Sequence, residues 1–368
     1  MIFVEDPSVA NYIASLPQAI YQRGWSCLVY ATGLAVDCLD QRNITFQKVA
    51  AHSGADEILD SVRPKIVMVG TASNPDTIGL QLIRAARQKN LPTIGLVDAF
   101  MNAEKRFRGR TDNAMAYGPD WVLVPDNTTK HAFIELGFID DRIVICGHPQ
   151  YDYVCSLAAL WQQEKLLHFR KRILPNAQSG QQIVVFAGEQ SEIVSPDVLA
   201  HYTIRGRGMA AGRSEIVLEE FLDAIRALSQ KPYVVLRIHP KDTASDFAAY
   251  GSELDLISQG GSPLELIYAA DLVVGMTSML LTEAVLMGKK TLSIIPIGAE
   301  RDWEPSVRNG ITPCVTTREE LHKQLHNLLA EARTVFARSD GRNSFVLGAV
   351  PRILALLNQI LSSTGALL

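Results

Sequence analysis

Residues able to do chemistry stand where apolar runs end. In 234–242, VVLRIHPKD, such a run passes directly into His239, Pro240, Lys241 and Asp242. Pro240 fixes its own φ and confines His239 to extended backbone, so an imidazole is delivered at a strand end. That imidazole can donate to a phosphate oxygen with Lys241 adding charge nearby, although a plain surface turn would use the same residues. In 271–294, DLVVGMTSMLLTEAVLMGKKTLSI, a strand, a turn, a helix and a second strand follow one another. Thr277 and Ser278 open the helix, where free N–H groups and the dipole favour an anion, and either hydroxyl can also cap it. Glu283 is a carboxylate in an otherwise apolar helix, suited to accepting from a ribose diol.

A third segment, 95–110, reads GLVDAFMNAEKRFRGR. Asp98 ends a strand, the place for a general base acting on an incoming hydroxyl. Lys105, Arg106, Arg108 and Arg110 follow it, and for the individual arginines an exposed charged loop is the expectation. The run 206–212, GRGMAAG, has the spacing GxGxxxG after a poor strand, which is not a dinucleotide fingerprint. Arg205, Arg207 and Arg213 around those glycines suggest a mobile loop. There is no HExxH, no Asp-x-Asp and no GxSxG, so neither a metal nor a cofactor is expected.

The elements that must position these groups alternate along the chain. Strands are expected near 2–4, 27–30, 66–69, 93–97, 121–124 and 143–146, with helices near 9–22, 54–62, 76–89 and 127–136. A helical stretch over 151–174 and a polar piece over 176–182 read as the domain connection. Strands then recur near 183–186, 234–238, 254–257, 272–274 and 291–295, separated by helices near 214–230, 263–269, 278–287 and 318–333. A last apolar helix spans about 350–361. Runs such as IVMV and WVLV are apolar throughout, as parallel strands covered on both faces require. The pattern predicts an α/β protein of two doubly wound parallel sheets.

Ligands bind such sheets outside the carboxyl ends of the strands. In the first half this rule selects Glu5, Asp6, Gly70, Thr71, Ser73, Asn74, Asp98, Asn102, Asp126, Gly147 and His148; in the second it selects Gly188, Glu189, His239, Pro240, Ser258, Gly275, Thr277, Ser278, Glu300 and Arg301.

Composition agrees with a two-domain globular chain. It has 368 residues, 47% of them hydrophobic and 20% charged, beyond the size at which one core usually stops growing. A net charge of -4 argues against nucleic acid as a partner. Five scattered cysteines make neither a disulfide framework nor a zinc site. No secretory signal or spanning segment is expected, which predicts a cytoplasmic protein. The stretch 164–175, EKLLHFRKRILP, mixes basic and apolar residues and offers peripheral contact with the inner face of a membrane, or serves as the interdomain helix.

The order GHPQYD, FAGEQSE, RIHPKD, GMTSMLLTEAVLMGK and ERDWEP resembles the GT-B-fold nucleotide-sugar enzymes. The layout is similar to UDP-N-acetylglucosamine 2-epimerases and to capsule-polysaccharide and sialyltransferase-like glycosyltransferases. The resemblance covers roughly 66–330 and is strongest over 230–300. It implies two Rossmann-like domains facing a cleft: an acceptor domain at 1–160, a donor domain at 161–340, and a helix at 341–368 crossing back to the first. By position, His239 and the Thr277-Ser278 turn would hold donor phosphates and Glu283 the ribose. The stretch 300–304 would close over the donor, and His148 would lie near the cleft. The chain departs from the 2-epimerases at Thr71 and Ser73, where they have an aspartate, and at 188–192, GEQSE, where they have His-Arg-Arg-Glu-Asn.

The expectation is therefore a metal-independent glycosyltransferase of glycan or polysaccharide biosynthesis. It would take a UDP- or CMP-sugar as co-substrate and a glycan or lipid-linked acceptor. Asp98 would be the base, Asp6 its runner-up, and Arg301 would assist the leaving phosphate. The alternatives are a nucleotide-sugar 2-epimerase or hydrolase on the same fold, or a non-catalytic nucleotide-sugar-binding protein. The apolar tail from position 350 offers a homodimer contact.

Overall fold

The computed structural model describes residues 1–50, 53–71, 74–208, 210–330 and 339–363. Ser73 and the end of the apolar tail therefore lie outside the described residues. The chain divides into two compact units, Met1–Tyr153 with the segment from Phe345 onward, and Val154–Ser344.

The first unit holds seven strands: β1 (Ile2–Val4), β2 (Val29–Ala31), β3 (Gln47–Lys48), β4 (Val67–Gly70), β5 (Thr93–Leu96), β6 (Trp121–Val124) and β7 (Ile143–Ile145). Their order is β3-β2-β1-β4-β5-β6-β7 and every pairing is parallel. The second unit holds β8 (Ile183–Ala187), β9 (Tyr233–Arg237), β10 (Leu256–Ser258), β11 (Leu272–Gly275), β12 (Lys290–Ile294) and β13 (Cys314–Val315). Their order is β10-β9-β8-β11-β12-β13, again all parallel. In each sheet the chain winds outward, then returns to the other side of its first strand. The resulting switch points lie between β1 and β4 and between β8 and β11, where open α/β sheets form their crevices.

Alternation of side chains across β1 serves both faces of the first sheet. Ile2 and Val4 join a core with Tyr12, Met68 and Leu96, while Phe3 joins another with Val69, Phe107 and Phe133. The C-terminal helix Ala349–Ser363 adds Ile353, Leu354, Leu356, Leu357 and Ile360 to the first of these cores. Each such buried aliphatic side chain contributes roughly 2 kcal/mol. On the second sheet Phe186, Leu236 and Val274 share a core with Phe221 of the helix Arg213–Arg226.

Several elements differ from expectation. The helix expected over 9–22 is two, Pro7–Ile13 and Leu16–Gln22, the second with Pro17 in its first turn, where a missing N–H costs nothing. The stretch 151–174 is also two helices, Pro149–Trp161 and Leu166–Ile173. The break lets Trp161, Phe169 and Tyr268 pack as three mutually touching rings. Arg170 turns inward to Asp271 at 2.6 Å and to the Ala269 carbonyl at 2.7 Å. Edge strands β3 and β13 were not anticipated; each has two residues, too few to make an apolar run.

The glycine-rich loop is the clearest correction. Rather than standing free, its first residues, Gly206 and Arg207, are fastened to the helix Arg213–Arg226, while Met209 lies outside the described residues. Gly206 N–H donates to Glu220 at 2.9 Å and Arg207 N–H to Glu219 at 2.6 Å. The Arg207 guanidinium bonds Asp223 at 2.8 Å and Glu253 at 2.7 Å. Each buried glutamate thus takes one backbone donor from the loop, Glu219 accepting also from the Tyr250 hydroxyl at 3.0 Å and Glu220 pairing with Arg318 at 2.8 Å.

Gly147, just beyond β7, has φ +87, and a Cβ there would overlap the Val346 carbonyl oxygen. Both the backbone sign and the close approach require glycine. Gly147→Ala is expected to destabilise the protein by at least ~2 kcal/mol, read as a lowered midpoint in thermal or urea unfolding; an unchanged midpoint would contradict this packing.

Candidate functional site

In the second unit, Gly188 and Glu189 follow β8, His239 lies beyond β9, and Thr277 and Ser278 follow β11. The switch point brings Glu189 and Thr277 together. Both the backbone N–H of Thr277 and its hydroxyl donate to Glu189 Oε1, the hydroxyl at 2.9 Å. The turn expected to take an anion thus already holds a carboxylate of the same chain. Ser278 caps the helix Met279–Leu286 through the Leu280 N–H at 3.4 Å. Gly188 N–H donates to the Arg237 carbonyl at 2.8 Å, keeping this strand end against β9.

Arg213 forks onto both oxygens of Glu300, the first bond measuring 2.7 Å, and lies 3.9 Å from Glu189. One cation therefore stands between two carboxylates. Burial pushes the Glu189 carboxyl up from its usual range, against the pull of Arg213 and Thr277. His239 accepts the Lys241 N–H at Nδ1, at 3.2 Å, which leaves its proton on Nε2 when neutral. Burial, with Lys241 assisting, pushes its pKa below the ordinary value. Such an imidazole is a hydrogen-bond donor rather than a charge. Pro240 holds the turn, and Lys241 reaches Gln190 at 3.1 Å.

The other second-unit candidates are placed differently from one another. Glu283 is buried rather than turned to solvent, and Glu300 is buried in its ion pair, while Arg301 is exposed. Glu304 is completely buried, accepting from Thr282, from Ser306 at 2.5 Å and from the Val307 N–H at 2.8 Å. That carboxylate caps the short helix Pro305–Arg308.

In the first unit, Asp98 stands two residues beyond β5, and Arg106 faces it at 3.2 Å with both side chains largely buried. Arg106 also reaches the Thr71 hydroxyl at 3.3 Å and the Met101 carbonyl at 3.2 Å, so it is no exposed loop arginine. Thr71 in turn donates to the Leu96 carbonyl at 3.0 Å. Across the switch point, Asn74 donates to Glu5 at 2.9 Å. Glu5 Oε2, Asp98 Oδ1 and Arg106 Nε are buried without an aligned hydrogen bond. Buried polar groups rarely stay so, and such atoms mark a place for ligand or water. Asp6 occupies the N-cap position of the helix Pro7–Ile13 without capping it through its side chain.

His148 is 5% exposed, between Tyr151 stacked at 4.9 Å and Tyr12 edge-on at 4.8 Å. Burial holds its pKa down to about 4, although the nearby Asp98 charge pulls upward. Sequence reasoning did not pair Asp98 with Arg106, nor Arg213 with Glu300. Their spacings carry no motif, and only the fold brings the partners together. Among the described residues no group of three or more His, Cys, Asp or Glu side chains could hold a metal, and no helix is long and apolar enough to cross a membrane.

These features define a class: a GT-B-like fold of two Rossmann-like parallel-sheet units, with polar side chains gathered at both switch points. No protein-family model and no curated protein matches the chain in sequence. Among solved structures it is similar to the UDP-GlcNAc 2-epimerase of Neisseria meningitidis bound to UDP-GlcNAc, with 13% identity, 97% of this chain and 98% of that one covered, and a TM-score of 0.68. The Methanocaldococcus jannaschii UDP-GlcNAc 2-epimerase, in complex with UDP-GlcNAc and UDP, gives 14% identity, coverage of 97% and 99%, and a TM-score of 0.64. Anabaena HepE in complex with UDP and glucose gives 14%, 97%, 99% and 0.60. At such identities the likeness is one of fold.

The environment of His148 has a consequence for stability. Its folded pKa, about 4, lies below the ordinary 6.5, so the unfolded chain binds the extra proton first. The stabilisation is complete above the unfolded pKa and is lost as pH falls toward 4, amounting to on the order of 3 kcal/mol. Urea unfolding between about pH 7 and 4 should show that slope, and His148→Gln should flatten it. A wild-type slope indistinguishable from the variant's would contradict the burial of a neutral imidazole.

Proposed function

We propose that this chain is a nucleotide-sugar-processing enzyme that acts on the bound nucleotide sugar itself, as a 2-epimerase or hydrolase. The observation that carries this reading is the match of nearly the whole chain to UDP-GlcNAc 2-epimerases solved with UDP-GlcNAc. The second unit would bind the nucleotide, with His239 Nε2 and the Thr277 turn donating to phosphate oxygens and Glu283 accepting from the ribose. Asp98, backed by Arg106, would be the reacting carboxylate of the first unit. Domain motions commonly exclude water from such reactions.

Glycosyl transfer to an acceptor is the second reading, and a specific observation favours it. By the resemblance, Thr71 and Ser73 stand where the 2-epimerases carry an aspartate, and the Thr71 hydroxyl is taken up by the Leu96 carbonyl and Arg106. An epimerase must remove a proton from carbon and cleave the bond to the nucleotide, and this chain offers few groups to share that work. A transferase needs one base, and Asp98 would serve as it.

Proton NMR of UDP-GlcNAc in deuterated buffer separates the two. Epimerase or hydrolase action should consume the substrate without an acceptor, and proton removal should place deuterium at the sugar's C2. A transferase should leave it intact until an acceptor hydroxyl is supplied. Asp98→Asn should lower either activity by at least ~100-fold. Failure of UDP, CMP, GDP, CDP and ADP alike to raise the melting temperature of folded protein would defeat both readings.

Glu189 bears on the nucleotide part alone. Its carboxylate competes with a phosphate for the Thr277 donors, so Glu189→Gln should bind UDP roughly 10-fold more tightly by calorimetry. Equal or weaker binding would mean that the phosphate does not use this turn.

A further inference from the structure

His148 is held more firmly than a core histidine requires. Gly147 before it must be glycine, and Pro149 after it restricts its backbone. Tyr151 covers one face of the ring and Tyr12 meets it edge-on. Both tyrosines are themselves fixed: Tyr12 O–H lies 3.1 Å from Cys146 Sγ, and Tyr151 packs on Phe345. The Gln150 N–H donates to Nδ1 at 3.2 Å, so that nitrogen is the acceptor and the ring proton sits on Nε2. Among the described residues no group bonds to Nε2. The ionisable groups around the ring are Asp98 from the loop after β5, which pulls the His148 pKa upward, Tyr12 with its partner Cys146, and Tyr151.

We infer that His148 is a substrate-touching hydrogen-bond donor of the first unit, presenting Nε2–H beside Asp98 to a hydroxyl or carbonyl oxygen of the sugar. The inference rests on the reading that the sugar is handled at Asp98. A ring with its proton fixed on one nitrogen stabilises negative charge developing on an oxygen without first having to reorient. Its neutrality matters as well: Asp98 already pairs with Arg106 at 3.2 Å, and a neutral ring adds no second cation to compete with the substrate for that carboxylate. The pair divides the work, with an anion that accepts and a neutral ring that donates.

Nitrogen-15 NMR of histidine-labelled protein tests this, with His148 and His239 assigned through His148→Asn and His239→Ala. His148 should show the Nε2–H form, fail to titrate between about pH 5.5 and 8, and shift with UDP-GlcNAc but not with UDP. His239 should respond to both ligands. A His148 signal that ignores UDP-GlcNAc, answers UDP equally, or carries its proton on Nδ1 overturns the inference. If His239 still responds in that case, nucleotide binding stands by itself; if His239 ignores both, that reading falls too. In turnover of UDP-GlcNAc, His148→Phe should lower kcat by ~100-fold or more with KM little changed, while His148→Asn, which keeps an N–H donor, should stay within ~10-fold of wild type. Equal losses in the two variants would make His148 a packing residue.

Discussion

Every strand pairing in both sheets is parallel, and the rest of the structure depends on that constraint. Parallel neighbours must be joined by crossovers, so all the carboxyl ends of a sheet emerge along one edge. Reversal of winding beside β1 and beside β8 then opens a gap in that edge, because the two following loops leave in opposite directions. In both units a glutamate follows the first strand and is bonded across the gap. Glu5 takes the amide of Asn74, and Glu189 takes the donors of Thr277. Neither bond joins residues near in sequence; each exists because the topology places β4 beside β1 and β11 beside β8.

The two switch points differ in how their charges are settled. In the second unit Arg213 stands between Glu189 and Glu300, and Thr277 completes the set, so the charges largely satisfy one another. Each unit also keeps buried atoms without an aligned partner, on Glu5, Asp98 and Arg106 in the first and on Arg213, Ser214 and Asp242 in the second. An unsatisfied buried polar atom costs about 1–3 kcal/mol, a strain that a ligand can relieve. At the second switch point an anion at the Thr277 turn would have to displace the Glu189 carboxylate.

Much of the fold could be read from the chain. IVMV and WVLV announce buried parallel strands, and the β-then-α rhythm gives the doubly wound class. Short edge strands escaped because Gln47 and Lys48 are exposed and carry no apolar signal. The break between Trp161 and Leu166 escaped for a different reason: helical periodicity continues through it, and the ring cluster with Tyr268 that favours the turn is about a hundred residues away. The glycine-rich loop looked free because its fasteners, Glu219, Glu220, Asp223 and Glu253, lie on other elements.

The sequence by itself determined which residues end strands, and so that Asp98, His148, Glu189, His239 and Thr277 all follow the carboxyl ends of strands. Local pattern suffices for this, since strand ends follow from apolar runs and from the turns that stop them. Only the tertiary structure decided the partners: Arg106 for Asp98, Arg213 for Glu300, Glu189 for Thr277, and two tyrosines for His148. Charge, protonation and orientation depend on neighbours within a few ångströms, and chain folding, not spacing along the sequence, brings those neighbours together.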